Sequence, residues 1–213
     1  MKCFARWREV DSELYFRDQT ILQFGESWEL LANFILLNPG SSLPTKDRKP
    51  QNEYLESKEL PFYVGGKDTY YSFSIDRLMN DLLKLYSSKH DNRGGGVIKI
   101  YNLFNLKNQD SGNAIEQYKK YKESKFIHTN IEDIKYCSAP VVVATGSKVH
   151  ADPRLKEELL KFISLAKPSN LYSVQKQRDR VFSIERAQPN EAGFIDSYHP
   201  SYTCKYGNST IFN

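Results

Sequence analysis

The spacing of apolar and polar residues assigns most of the elements of this chain. Phe34, Ile35, Leu36 and Leu37 form a continuous apolar run that stops at Asn38, Pro39 and Gly40. A run of strand length closed by turn residues reads as a buried strand. Residues 97–101 and 141–144 read the same way, the first ending at Asn102 and the second at Thr145 and Gly146. Residues 193–198 are the last expected strand and lead into His199, Pro200 and Ser201. Between these runs, Ile75, Leu78, Met79, Leu82, Leu83, Leu85 and Tyr86 recur at helical spacing from Ser74, a predicted N-cap, to about His90. Asp152 as N-cap and Pro153 at the first helical position open another helix, with an apolar stripe of Leu155, Leu159, Phe162, Ile163 and Ala166. Residues 113–122 and 125–134 read as two more helices. The aromatic-rich segments 3–10, 14–20 and 28–31 suit a small antiparallel hairpin beside the main sheet. Residues 171–175 and 181–184 suit short strands around a basic turn. Strands alternating with helices predict an α/β protein built on a parallel sheet.

Residues 43–71 break this regularity. They are polar and interrupted by Pro44, Pro50, Pro61, Gly65 and Gly66, which predicts a long lid or binding loop. Gly65, Gly66 and Lys67 do not make a phosphate-binding P-loop, because Pro61 stands where its first glycine belongs. Gly94, Gly95 and Gly96 precede a strand rather than follow one, so the dinucleotide-binding glycine motif is excluded.

Length and composition narrow the class. A chain of 213 residues without a Ser/Gly/Pro-rich linker is expected to be one domain, 1–213. A net charge of +4 suits a polyanionic partner without requiring one. Cys3, Cys137 and Cys204 are odd in number and widely spaced, which argues against a disulfide framework and predicts reduced thiols in a cytoplasmic setting. No apolar signal core or run of membrane-spanning length occurs, so neither secretion nor membrane insertion is expected. His90, His128, His150 and His199 lack metal-ligand spacing, and no Gly-x-Ser-x-Gly motif occurs. No metal site is expected.

Ligands of open α/β sheets bind beyond the carboxyl ends of parallel strands. Those ends carry Asn38, Asn102, Gly146 and His199, and their convergence points to a site more strongly than any one of them. Pro39 biases Asn38 toward extended geometry, and Gly40 permits a positive φ around a ligand. The plainer alternative is a turn in which Asn38 bonds its own backbone. Lys119, Lys120, Lys122 and Lys125 read by default as a solvated face. Lys176, Arg178, Arg180 and Lys205 lean toward a polymeric substrate.

In motif order the chain resembles the uracil-DNA glycosylase superfamily. Leu37-Asn38-Pro39-Gly40 is similar to the first motif of its mismatch-specific and single-strand-selective branches, and His199-Pro200-Ser201 to its second. Residues 96–102 resemble the central strand that ends in a base-reading asparagine. Val141 to Gly146 followed by Ser147 resembles the strand and small-residue turn before the penultimate helix, and Tyr71-Ser72-Phe73-Ser74 the segment presenting an aromatic ring. An uncharacterised bacterial and phage family with a similar start and an Asn-Leu-Phe segment looks closer still.

The resemblance implies a three-layer α/β/α sandwich around a mainly four-stranded parallel sheet. It also implies a cofactor-free, monomeric, monofunctional DNA glycosylase that leaves an abasic site, in a repair or phage-defence setting. Asn38 and His199 are the implied catalytic residues, one holding water and the other stabilising the departing base. Asn102, Phe73, Pro39 and Gly40 are the implied base-binding residues, with Phe73 stacked on the extruded base. Ser41, Ser147, Ser201 and Tyr202 are expected to contact DNA. Leu36, where the superfamily usually has glycine, and Tyr202, where it often has proline, leave the base open between a uracil-like base and a hypermodified phage cytosine. Two rival readings keep the pocket: a catalytically inactive nucleic-acid-binding protein, and a hydrolase of free nucleosides or nucleotides.

Overall fold

The computed structural model describes residues 1–10, 14–90 and 94–206. Among the described residues one mixed sheet runs through the molecule. Its strands are β1 (Lys2–Glu9), β2 (Tyr15–Gly25), β3 (Leu30–Leu36), β4 (Tyr70–Ser72), β5 (Gly95–Asn102), β6 (Val141–Val143), β7 (Leu171–Arg178) and β8 (Val181–Arg186). They lie in the order β4-β1-β2-β5-β3-β6-β7-β8. The β5–β3, β3–β6 and β6–β7 pairings are parallel, and the other four are antiparallel. The expected mainly four-stranded parallel sheet is therefore wrong: the sheet has eight strands and antiparallel pairings predominate. The reason lies in the aromatic-rich N-terminus. Phe16, Ile21, Leu22 and Phe24 make β2 apolar on both faces, so the hairpin cannot stand beside the sheet and instead joins it through β5.

Helices cover both faces. On one, α2 (Arg77–His90) packs Met79, Leu82, Leu83 and Tyr86 against Leu22, Ile98, Ile100 and Phe34. The short α5 (Ser201–Tyr206) lies on this side too, with Tyr202 against Phe182. On the other, α3 (Ser111–Tyr121) and α4 (Pro153–Ser164) bury Ile115, Tyr118, Leu159 and Phe162 against Ile35, Tyr101 and Val143. Residues 43–71 contain α1 (Asn52–Glu56), and their Leu55, Leu60 and Phe62 pack on Phe4, Ile21 and Val97 of that second face. Much of the expected lid is thus part of the core.

Local chemistry corrects several boundaries. Asp76, not Ser74, caps α2, its Oδ1 accepting from the Met79 N–H at 2.9 Å. Asp110 caps α3 by accepting from Gly112 and Asn113, and Asp152 with Pro153 opens α4 as expected. Residues 125–134 form no α-helix; only Ile131–Asp133 makes a 3-10 turn. Asn105 pins that segment instead, bonding Ile127 O through its backbone and Phe126 O through its side chain. Residues 193–198 are not a strand: β6 reaches only to Ser173 of β7, and beyond it the segment meets β7 through the Tyr198 N–H, which donates to Val174 O, without forming a ladder. The side chains of His90 and Cys204 fall outside the described residues. No described helix is long and apolar enough to cross a membrane.

Burial makes β5 demanding. Lys99 is wholly buried on the face that α1 shares, where its ammonium donates to Phe62 O and lies 5.3 Å from the centre of the Tyr101 ring. Burial, reinforced by the nearby Arg6 guanidinium, pulls its pKa down to about 7. The unfolded chain then holds more protons than the folded one between about pH 7 and the unfolded lysine value, so this group adds stability as pH rises through that window. Lys99→Met is expected to be more stable than wild type at pH 6, with the advantage shrinking by pH 9. Urea midpoints at both pH values test this, and a pH-independent difference contradicts it.

Candidate active site

A cavity of about 800 Å³ opens at the carboxyl ends of β5, β3 and β6, on the α2 face of the sheet. Its floor is apolar where Leu36, Ile100 and Met79 contribute and polar at Asn102. Asn102 is 1% exposed and lies opposite Leu36 in the parallel β3–β5 register. Neither its amide nitrogen nor its amide oxygen has a hydrogen-bond partner among the described residues. Leaving a buried amide unmet costs about 1–3 kcal/mol, so a ligand with a donor and an acceptor side by side is the natural complement.

Asn38 borders the same cavity just beyond β3. Its side-chain nitrogen donates to Pro39 O at 2.7 Å and to Asn108 O at 2.9 Å. A local bond to the adjacent backbone is thus present, and the second bond fixes the amide plane so that only the carbonyl oxygen is left to accept. Pro39 itself is buried and does not line the cavity; its carbonyl also accepts from the Asn108 N–H at 3.2 Å. Gly40 lines it without a positive φ. The approach there is close: a Cβ would lie 2.9 Å from Asp76 Oδ2, so any side chain would displace that carboxylate oxygen.

His199 arrives on a loop tied down at three points. Ser197 Oγ accepts from the Thr145 N–H at 3.1 Å, Tyr198 N–H donates to Val174 O at 2.9 Å, and His199 O accepts from the Tyr202 N–H at 3.1 Å. Gly146, with φ of 71°, brings the chain after β6 close enough that a Cβ there would stand 3.6 Å from His199 Cβ. The imidazole Nδ1 receives the Ser201 N–H at 3.3 Å and lies 2.8 Å from Ser201 Oγ. A backbone N–H can only donate, so Nδ1 is the acceptor and Nε2 carries the proton. Burial lowers the pKa of the ring and keeps it neutral.

Among the other anticipated residues, Ser41, Ser147 and Tyr202 line the cavity mouth, and Tyr202 is 43% exposed. Ser201 lines it as well, but its hydroxyl is engaged with His199. Phe73 is not a wall: it is buried, edge-on to Trp7, with the Arg17 guanidinium 5.6 Å from its ring centre. The sequence reading missed Arg17, Asp76, Asn108 and Ser197, all on the lining. The signal for Arg17 was a charged pair, Arg17 and Asp18, inside an aromatic strand-like run.

A bulge decides which member of that pair faces the cavity. The β1–β2 register passes from Phe4↔Ile21 to Arg6↔Asp18, so β2 carries one extra residue, and Gln19 there has φ of 51°. Without the extra residue, strict alternation from Leu22 turns Asp18 toward the cavity and Arg17 away. With it, Asp18 joins Arg6 at 2.7 Å on the opposite face, next to Asp133 at 2.8 Å from Arg6, and Arg17 enters the cavity.

Among the described residues, no group of three or more His, Cys, Asp or Glu side chains is placed to hold a metal ion. No family model, curated protein or solved structure matches this chain. The geometry predicts that His199 at pH 7 is the Nε2–H tautomer and titrates below the ordinary histidine value. Ring 15N chemical shifts followed from pH 8 to 5 check both points, and an Nδ1–H tautomer contradicts the assignment.

Proposed function

We propose that this protein is a monofunctional DNA glycosylase, hydrolysing the bond between deoxyribose C1′ and an extruded base to leave an abasic site. The observation that carries the reading is the buried Asn102 amide, unpartnered at both ends in a cavity that Asn38 and His199 also line. A nucleobase edge offers a donor beside an acceptor and needs to leave the helix to reach such a floor. Motif order adds support, since Asn38, Asn102 and His199 fall where the uracil-DNA glycosylase superfamily has its water-holding, base-reading and base-stabilising residues.

The chemistry then divides among the three. Asn102 pairs with the base edge. The C1′–N bond breaks with its electron pair passing to the base, and His199 Nε2–H donates to the base oxygen on which that charge gathers. The Asn38 carbonyl accepts from a water and aims it at the electron-poor C1′. Water adds there, its surplus proton leaves to solvent, and the departed base takes a proton in turn. A neutral histidine suits this step because it donates without requiring acid. Arg77 and Lys148 on the cavity lining, with Lys176, Arg178 and Arg180 exposed on the β7–β8 hairpin, supply positive charge for the phosphate backbone. Every group used comes from one copy of the chain.

Alkali cleavage of end-labelled oligonucleotides, single- and double-stranded, tests the reading. The panel holds uracil, mismatched thymine, oxidised bases and hypermodified cytosines. Wild type is expected to cut at one of them, and Asn38→Ala to lower the single-turnover rate about 100-fold or more while retaining DNA affinity. DNA binding without cleavage anywhere on the panel favours the inactive binding protein. Neither binding nor cleavage favours a free nucleotide as substrate.

A further inference from the structure

The cavity holds a second polar group that the fold leaves short of partners, and this one is charged. Arg17 is 3% exposed, and its Nε has no hydrogen-bond partner among the described residues. Its Nη1 donates to a neutral acceptor, Ser42 O, at 3.2 Å. No ion pair among the described residues includes it. Asp76, on the same lining, acts on it through space but uses its carboxylate to cap α2. Burial pushes the guanidinium pKa down, as expected of a cation without a close counter-charge.

A purely structural role does not account for this arrangement. The neighbouring Arg6, also buried, meets Asp18 and Asp133 at 2.7 and 2.8 Å, so the protein pairs a buried guanidinium where the fold requires one. The bulge at Gln19 separates Arg17 from Asp18, the adjacent carboxylate, and turns it alone into the cavity. Phe73 beneath its plane holds it in place without neutralising it.

We propose that Arg17 is an anion subsite, pairing with negative charge on the base held in this cavity. The proposal rests on the glycosylase reading and narrows its substrate class. The anionic oxygen has two sources, an acidic substituent that the base carries throughout, or the charge left on the base when the C1′–N bond breaks. Either one brings an oxyanion to a desolvated guanidinium, where a charge-assisted pair is strongest.

Two measurements on wild type, Arg17→Lys and Arg17→Met decide the matter. The first is calorimetric binding of orotate, a pyrimidine bearing a carboxylate, against uracil, its neutral parent. The second is the single-turnover excision rate at saturating DNA on whichever oligonucleotide the wild type cuts. An acidic substituent predicts that wild type prefers orotate by roughly tenfold or more, that Arg17→Lys keeps part of the preference and that Arg17→Met loses it. Charge formed on cleavage predicts instead a rate roughly tenfold or more lower in Arg17→Met at unchanged DNA affinity. If Arg17→Met changes neither quantity, the subsite is overturned. Melting of the variants controls for folding: removing an unpaired buried charge leaves the melting temperature unchanged or higher, and a fall of many degrees assigns Arg17 to the fold and overturns the proposal. Orotate preference without excision of any base sinks the glycosylase reading while the subsite stands.

Discussion

The complete burial of β5 is the constraint on which the rest of this structure depends. Every residue from Gly95 to Asn102 is buried, with β2 on one side, β3 on the other and a helical layer over each face. Each polar side chain on such a strand has to be satisfied from inside the protein. Lys99 meets Phe62 O on one face, supplied by the 43–71 segment that packs there as core. Asn102 finds no partner among the described residues on the other. These two residues of one strand differ in that the protein satisfies one and not the other.

Around that strand the sheet sorts charge by face. The bulge in β2 sends Asp18 to the side of Arg6 and Lys99, where acidic and basic groups balance, and leaves Arg17 on the cavity side without a close carboxylate. One inserted residue therefore decides which charge of the Arg17–Asp18 pair faces the cavity. The parallel pairings of β5, β3 and β6 then bring Asn102, Asn38 and the Gly146 turn to one rim, and that turn receives the His199 loop through Thr145 and Ser197.

Much of the site was legible because it is written at strand ends. An apolar run broken by a polar residue and a turn marks itself, and Asn38, Asn102 and His199 all line one cavity. The sheet was less legible, since strand pairing depends on partners far apart in sequence. An aromatic-rich hairpin looks the same whether it stands apart or is enclosed on both sides, as β2 is. Phe73 was misplaced for a related reason: a ring beside a predicted helix start shows no face, and here it supports Arg17 rather than the ligand. Arg17 itself was hidden by the bulge, which reverses the alternation that reading a strand relies on.

The central claim is that the polarity of Asn102 serves a ligand and not the fold, and the melting temperature of Asn102→Leu tests it most directly. Replacing an unpartnered buried amide with an apolar side chain of similar size removes an unfavourable burial of about 1–3 kcal/mol, a rise of roughly 2–12 °C for a chain of this size. A melting temperature several degrees below wild type would contradict the claim, because it would mean that the amide is satisfied within the fold and the cavity floor asks nothing of a ligand.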